Sequence, residues 1–523
     1  MAAGILLCLL QVWLPGVYLS CDGPCHVYNA RILHDMWTGE GLAFFSRFYE
    51  IAYTTAPNSL TSFVLAGLLY AAKGVVAEKL YISLYVLVYI GGFTALLRRL
   101  GGNGYWLLSV FIFPFTYAFA KGFYNYSFAI GLWCWMVWAW LHYLHHMKPR
   151  YAAAFFVLSG LAFFTHLLPF VFGVATCGLL LLSHVLPIRD PERRRGLEEL
   201  LRKGLTFILL IAPYLLLMLL FTNNEGGLQL QLRAYPYRLL ELVEFKYLIN
   251  LTDSEKPWAL LAGLVLTGFF FATAFMAMRP LRMHRYDGIL GAMAFVGFVY
   301  VFFPEQFMGR MLIISIRAQL FIYILIVCFV AYRLPAGKWK DRGGWALFAC
   351  FLLLSASRIH SRILANEAMG DYLSVAPYVQ PGSVVLPLDL SPTGTTPNGQ
   401  EITPRNSLFH HASHYLAADK QLIMLDNYEA NMGYFPVRWQ PDVNPYNIMS
   451  RNAGIEGLPP YAEIGTWEQR TGHTVRYVLL WGHAGNYITN ADFARLMQEV
   501  AAGYHLRYQS PTGRVVLYER NVP

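Results

Sequence analysis

The sequence predicts a polytopic α-helical membrane protein of about 11 transmembrane helices, with a juxtamembrane helix and a small C-terminal α/β extracytoplasmic domain. Three observations lead to that class. Only 14% of the 523 residues are charged and 56% are hydrophobic, whereas soluble proteins carry about a quarter charged residues. Apolar runs close to the ~20 residues that cross a bilayer recur through residues 1–360. Residues 361–523 then turn polar and Pro/Gly-rich, with short strand-like runs SVVLPLDL, VRYVLLW and RVVLYER and a helix-like NADFARLMQEVAA between the last two.

The apolar runs place spans at about 4–20, 79–97, 104–120, 125–146, 151–167, 169–186, 204–221, 258–278, 288–303, 311–332 and 344–359. Charge orients them. Arg98 and Arg99, Lys148 and Arg150, IRDPERRRGLEELLRK, RPLRMHR and RLPAGKWKDR together hold 17 Lys and Arg residues, each group two spans from the next. The opposing connectors after residue 100 hold six: Lys121, Arg233, Arg238, Lys246, Lys256 and Arg310. Basic residues are retained on the cytoplasmic side, so the 17 are read as cytoplasmic. The net charge of +9 is then that of cytoplasmic loops, and no basic run interleaved with aromatics points to nucleic acid.

Parity leaves two solutions for the first 100 residues. Either the N-terminus is cytoplasmic, 21–76 is an outer loop and PNSLTSFVLAGLLYAAKGVV (57–76) lies along the membrane, or 57–76 crosses and the N-terminus is outside. The first is preferred, and it places 361–523 outside the cytoplasm in the cell (inner or plasma) membrane. The N-terminal run GILLCLLQVWLPGVYL lacks the basic start and cleavage residues of a signal peptide. Cys8, Cys134, Cys177, Cys328 and Cys350 lie in apolar segments and behave as small hydrophobes. Cys21 and Cys25 can be a disulfide or two thiols, and no metal-type cysteine spacing occurs.

The stretch SCDGPCHVYNARIL (20–33) carries the first candidate for chemistry. Asp22, at the outer end of the first span, can take a proton from an attacking hydroxyl. It can equally cap the helix that PCHVYNARILHDMW forms. Lys121 in AFAKGFYNYSF is an outer cation against the topological bias. Arg310 and Arg317 are seven apart, on nearly one helix face, and Arg317 lies inside the apolar run IISIRAQLFIYIL, where a charge usually serves function. These three cations suit a lipid phosphate. An ion pair of Arg310 with Glu305 is the structural alternative. His26, His166 and Tyr124 are candidate substrate-binding residues. The 222–257 loop offers Glu225, Glu241, Glu244 and Asp253 as a second acid, a metal ligand or a solvated face. No cofactor is called for, and a divalent metal is left open.

A span ending in an acid, a long outer loop with amphipathic helices, a helix led by Pro57 and a span ending in Arg98-Arg99-Leu100-Gly101 form a pattern. It resembles the GT-C superfamily of membrane glycosyltransferases, in the branch of protein mannosyltransferases and aminoarabinose transferases. The resemblance implies transfer of a sugar from a polyprenyl-phosphate donor to a glycan, lipid or protein acceptor on the extracytoplasmic face, with inversion. It maps the catalytic Asp onto Asp22 and assigns 57–76 to the outer loop. Two features depart from the family: the acidic pair of some members is here Asp22-Gly23, and the His-Pro-Pro-Leu motif of others is APNSL. The competing expectations are a transporter or flippase of a lipid-linked saccharide, or a non-catalytic assembly protein of the same fold.

Overall fold

The computed structural model describes residues 1–53, 56–185, 193–224, 232–277, 284–307, 310–311, 313–449 and 454–521. Among these residues seven helices are long and apolar enough to cross a membrane: Gly74–Arg99, Tyr124–His146, Leu167–His184, Glu198–Thr222, Asp253–Ala277, Ile314–Arg333 and Lys338–Tyr378. Four shorter apolar segments, Ala2–Trp13, Gly104–Ala120, Pro149–Thr165 and Gly288–Phe302, occupy the other expected spans. The chain is a multi-pass membrane protein.

Several expected spans are shorter or broken, each for a local reason. The first stops at Trp13, two residues before Pro15, which has no backbone N–H to continue the helical ladder. Residues 104–120 form a 3-10 helix, Gly104–Ile112, and a separate turn of helix, Tyr117–Ala120. Between them the freed carbonyls are met inside the protein. Tyr85 donates to Pro114 O at 2.8 Å, and Arg358 and Asn250 donate to Phe115 O at 3.0 and 2.9 Å. Irregular backbone at membrane depth requires such shielding. Arg358 also pairs with the fully buried Glu255 at 2.7 Å and donates to Leu248 O at 2.6 Å. The 57–76 segment yields a helix of nine residues, Leu60–Leu68, about 14 Å long and too short to cross ~30 Å of hydrocarbon.

The basic loops gather at one end of the helices: Arg99 donates to Tyr286 OH, Lys203 to Leu144 O, and Ser183 to Arg285 O. At the opposite end lie Asp22, Lys121 and the C-terminal region. The last spanning helix continues without a break to Leu373, through residue 361, where the sequence suggests the second domain begins. A five-stranded sheet follows, in the order Leu422–Met424, Ser383–Asp389, Tyr477–Trp481, Val515–Arg520, Tyr504–Gln509. The first three are parallel and the last two antiparallel to their neighbours. All three strand-like runs seen in the sequence are strands, and Ala491–Gly503 is the expected helix.

The C-terminal region is tied to the first loop rather than set apart from it. Tyr49–Ile51 pairs antiparallel with Val437–Trp439. From the helix Gly23–Thr38, Tyr28 donates to Leu422 O at 2.8 Å and accepts from Met424 N at 3.1 Å, occupying the open edge of the sheet. Asp419 accepts from Gly74 N at 3.0 Å. The helix that begins at Asp22 is therefore sandwiched between the membrane helices and the C-terminal sheet.

Candidate active site

Asp22 occupies the N-cap position of the 23–38 helix, but its carboxylate makes no capping bond. The capping role expected from sequence is not realised, and the carboxylate is left for other partners. Its backbone is locked instead: Cys21 N donates to Ala120 O at 3.0 Å and Asp22 N to Lys121 O at 3.2 Å. Gly122, at φ +81°, makes this approach possible, since a Cβ there would stand 2.4 Å from Asp22 N. Gly23 is equally constrained, for a Cβ would lie 2.6 Å from both Glu78 Oε1 and the Tyr124 hydroxyl. The second acid of the Asp-acid pair has no room here.

The side chains around Asp22 come largely from the C-terminal region. His411 Nε2 lies 3.9 Å from Asp22 Oδ1, and the Asp22 side chain is 15% exposed. One turn along the helix, His26 Nε2 donates to Gly122 O at 3.0 Å while Nδ1 forms an ion pair with Glu429 Oε1 at 2.7 Å. That contact is not aligned as a hydrogen bond. Glu429 Oε2 accepts from Asn29 at 3.0 Å, and Asn29 and Asn427 exchange side-chain hydrogen bonds at 3.0 and 2.9 Å. Cys25 Sγ is 2.8 Å from His414 Nδ1, and His414 Nε2 is 2.9 Å from Asp426 Oδ1. Burial pushes the Cys25 thiol well up, so S–H donates to Nδ1 and Nε2–H donates to Asp426. Cys21 and Cys25 are free thiols.

Electrostatics set Asp22 apart. Burial raises its pKa above the usual carboxylate range, and Glu429 adds to this, against the opposing pull of His26, Cys21 and Lys121. For His26, burial disfavours the charged ring, but Glu429, Asp22 and the Gly122 carbonyl outweigh it and the pKa is raised. His411 is driven well below the usual imidazole range by burial and by His410, His414, Lys121 and His26. An imidazole of lowered proton affinity and one of raised proton affinity thus flank a carboxylate whose own proton affinity is raised.

The loop 121–124 joins this cluster to a second one. Phe123 lies under the Arg317 guanidinium at 4.5 Å, and Tyr126 at 5.7 Å, with the Tyr126 hydroxyl donating to Arg317 O at 2.5 Å. Arg317 Nε is buried with no hydrogen-bond partner among the described residues. His166, where the 149–165 helix ends, stands edge-on to Tyr126 at 5.5 Å and accepts from Leu168 N at 3.2 Å. Tyr124 is fully buried, donates to Glu78 Oε1 at 2.7 Å and is met by Ser20 at 2.9 Å.

Arg310 does not share a helix face with Arg317. It lies in a two-residue strand, Arg310–Met311, and the helix begins only at Ile314, after Ile313 at φ +47°. Its side chain lies outside the described residues. Glu305, the expected partner of Arg310, pairs with Arg238 at 2.8 Å. In the 222–257 loop, Glu225 is outside the described residues, Glu241 pairs with Lys246, and Asp253 with Lys256 and Arg405. Among the described residues no group of three or more His, Cys, Asp or Glu side chains could hold a metal ion.

Sequence reasoning missed His411, His414, Asp426 and Glu429. The signal was there in HHASH (410–414) and DNYE (426–429), short titratable clusters inside an otherwise ordinary polar segment.

No family model and no curated protein sequence matches the chain. Among solved structures, ArnT from Cupriavidus metallidurans in the apo state aligns with a TM-score of 0.54 at 12% identity, over 99% of this chain and 96% of that one. ArnT from the same organism bound to undecaprenyl phosphate gives 0.47 at 11% identity over the same shares. The chain therefore has, along nearly its whole length, the fold of ArnT.

Proposed function

We propose that this protein is a membrane glycosyltransferase that moves a sugar from a polyprenyl-phosphate donor to an acceptor hydroxyl on the extracytoplasmic face, with Asp22 as general base. The observation that carries the reading is Asp22 itself: an uncapped, largely buried carboxylate held by Gly122, with raised proton affinity, beside two imidazoles. In this reading Asp22 takes the proton of the acceptor hydroxyl as its oxygen attacks the anomeric carbon. The bond from that carbon to phosphate oxygen breaks, the electron pair leaves with the polyprenyl phosphate, and the configuration inverts. Arg317, whose Nε has no hydrogen-bond partner among the described residues, and Lys121 would balance the charge that develops on the phosphate. Arg310 is retained as a third candidate. His26 and Glu429 would orient the Asp22 wall, and the C-terminal sheet would help to hold a glycan, lipid or protein acceptor. The fold shared with ArnT supports this class of reaction.

The test is transfer of radiolabelled sugar from polyprenyl-phosphate donors in membranes, with wild type and Asp22→Asn at matched protein levels. Transfer by wild type and its loss in Asp22→Asn, with the donor still bound, is the expected result. Full transfer by Asp22→Asn would remove Asp22 from the reaction. A wild type that transfers from no donor would overturn the enzymatic reading.

A further inference from the structure

The end of the molecule opposite Asp22 carries its own groove, in which two arginines meet an apolar wall. Arg98, Arg99, Ala95, Trp138 and His142 line a cavity of about 410 Å³ where the C-terminal turns of the 74–99 and 124–146 helices meet. A neighbouring groove of about 400 Å³ is lined by Met1, Tyr105, Leu107 and Trp345 among others, and Arg98 borders both. Glu78 and Arg98 are 20 positions apart on one helix, about 30 Å, which is the thickness of the hydrocarbon layer. The Asp22 site and this groove thus sit at the two opposite membrane boundaries.

The groove is positive and its donors are incompletely satisfied. Arg99 donates to Tyr286 OH at 3.3 Å and to Leu141 O at 3.2 Å, while its Nε is buried with no partner among the described residues. The His142 ring is held by Trp138 at 4.6 Å and Tyr151 at 4.9 Å, and its Nδ1 is likewise buried without a partner. Residues 79–189 contain no Asp or Glu. Among the described residues, Asp287 is engaged by Arg333 and Tyr332, Glu199 by Lys203, and Asp341 by Tyr105 N. Buried donors of this kind are normally paired, and a cationic recess beside exposed aromatics at the membrane boundary matches a lipid phosphate in charge and in position.

We propose that the Arg98–Arg99–His142 groove binds the phosphate headgroup of an anionic membrane lipid in the leaflet opposite the Asp22 site. The phosphate oxygens accept from Arg99 and Arg98, and the acyl chains run along the apolar wall of Ala95 and Trp138. This binding does not depend on the glycosyltransferase reading. Solvated cytoplasmic arginines also serve topology alone, and the experiment separates the two.

The full-length protein is incorporated into nanodiscs of phosphatidylcholine with roughly 10–20% phosphatidylglycerol, which supplies the anionic probe, and released into native mass spectrometry. Wild type is expected to retain phosphatidylglycerol over phosphatidylcholine, and Arg98→Gln/His142→Gln to lose most of that preference. Lys148→Gln/Lys338→Gln, which removes exposed charges outside the groove, is expected to keep it. Millimolar inorganic phosphate is expected not to displace the lipid. Equal retention by Arg98→Gln/His142→Gln and wild type would overturn the proposal. Equal loss in both double variants would reduce the effect to net charge, and displacement by free phosphate would make the groove an anion site rather than a lipid site. Unchanged thermal unfolding of Arg98→Gln/His142→Gln excludes misfolding; if it unfolds early, Arg98→Lys, which keeps charge and fold, must keep the lipid for the proposal to stand.

Discussion

Replacing Gly122 with alanine should disable the Asp22 site without touching a side chain that carries chemistry. The new Cβ would lie 2.4 Å from Asp22 N and 2.8 Å from Asp22 Cα, about 1 Å inside ordinary contact, and the neighbours are backbone that cannot swing aside. At φ +81° an L-residue also carries about 1–2 kcal/mol of backbone strain, and overpacking typically adds about 1–3 kcal/mol. The local arrangement is therefore destabilised by about 2–5 kcal/mol, and it relaxes by displacing Asp22. A misplacement of about 1 Å costs on the order of 10²-fold in rate, equivalent to about 2.7 kcal/mol of barrier. The assay is the rate of sugar transfer per folded protein, with thermal unfolding measured in parallel. Gly39→Ala is the control: Gly39 has nearly the same φ, +82°, but open space around its Cβ position. It should lose a little stability and no rate. If Gly122→Ala transfers within threefold of wild type, the close approach of 120–122 to Asp22 does not position the base.

His26→Gln should move the acid limb of the pH–rate profile to higher pH. The charged His26 ring lowers the proton affinity of Asp22, so its loss raises the Asp22 pKa and the base is lost earlier as pH falls. A limb that stays or moves down would show that His26 and Asp22 are not coupled. Arg358→Leu should destabilise the protein by about 3–5 kcal/mol, because Glu255 would remain buried without its cation, the Leu248 carbonyl would lose its Arg358 donor and the Phe115 carbonyl would keep only Asn250. Thermal unfolding in detergent checks this, and a change under about 1 kcal/mol would mean that water or other groups satisfy the site.

How much was legible followed the range of the interactions. Low charge and recurring apolar runs report directly on the solvent around each segment, so the spanning class and the run of helices could be read locally. The strands SVVLPLDL, VRYVLLW and RVVLYER were equally plain, being short β-rich runs between turn residues. Helix ends were less so. Whether 57–76 crosses turned on where a helix of nine residues stopped, and Arg310 was separated from Arg317 by a break at Ile313 that no composition signal marks. Arg358 drew no notice as a buried cation, because its partner Glu255 is 103 positions away and its acceptors lie on two other segments.

Sequence alone determined that this is a membrane protein of many helices with a polar C-terminal region, that Asp22 and Arg317 are charges in costly places, and that the layout resembles the GT-C enzymes. Only the tertiary structure decided that Asp22 leaves its helix uncapped, and that His26 is paired with Glu429, His414 with Cys25 and Asp426, and His411 turned to Asp22. The reason is physical. Hydropathy is a property of each segment in its solvent, whereas a site depends on groups some 400 positions apart brought within hydrogen-bond reach by strand pairing and close backbone packing.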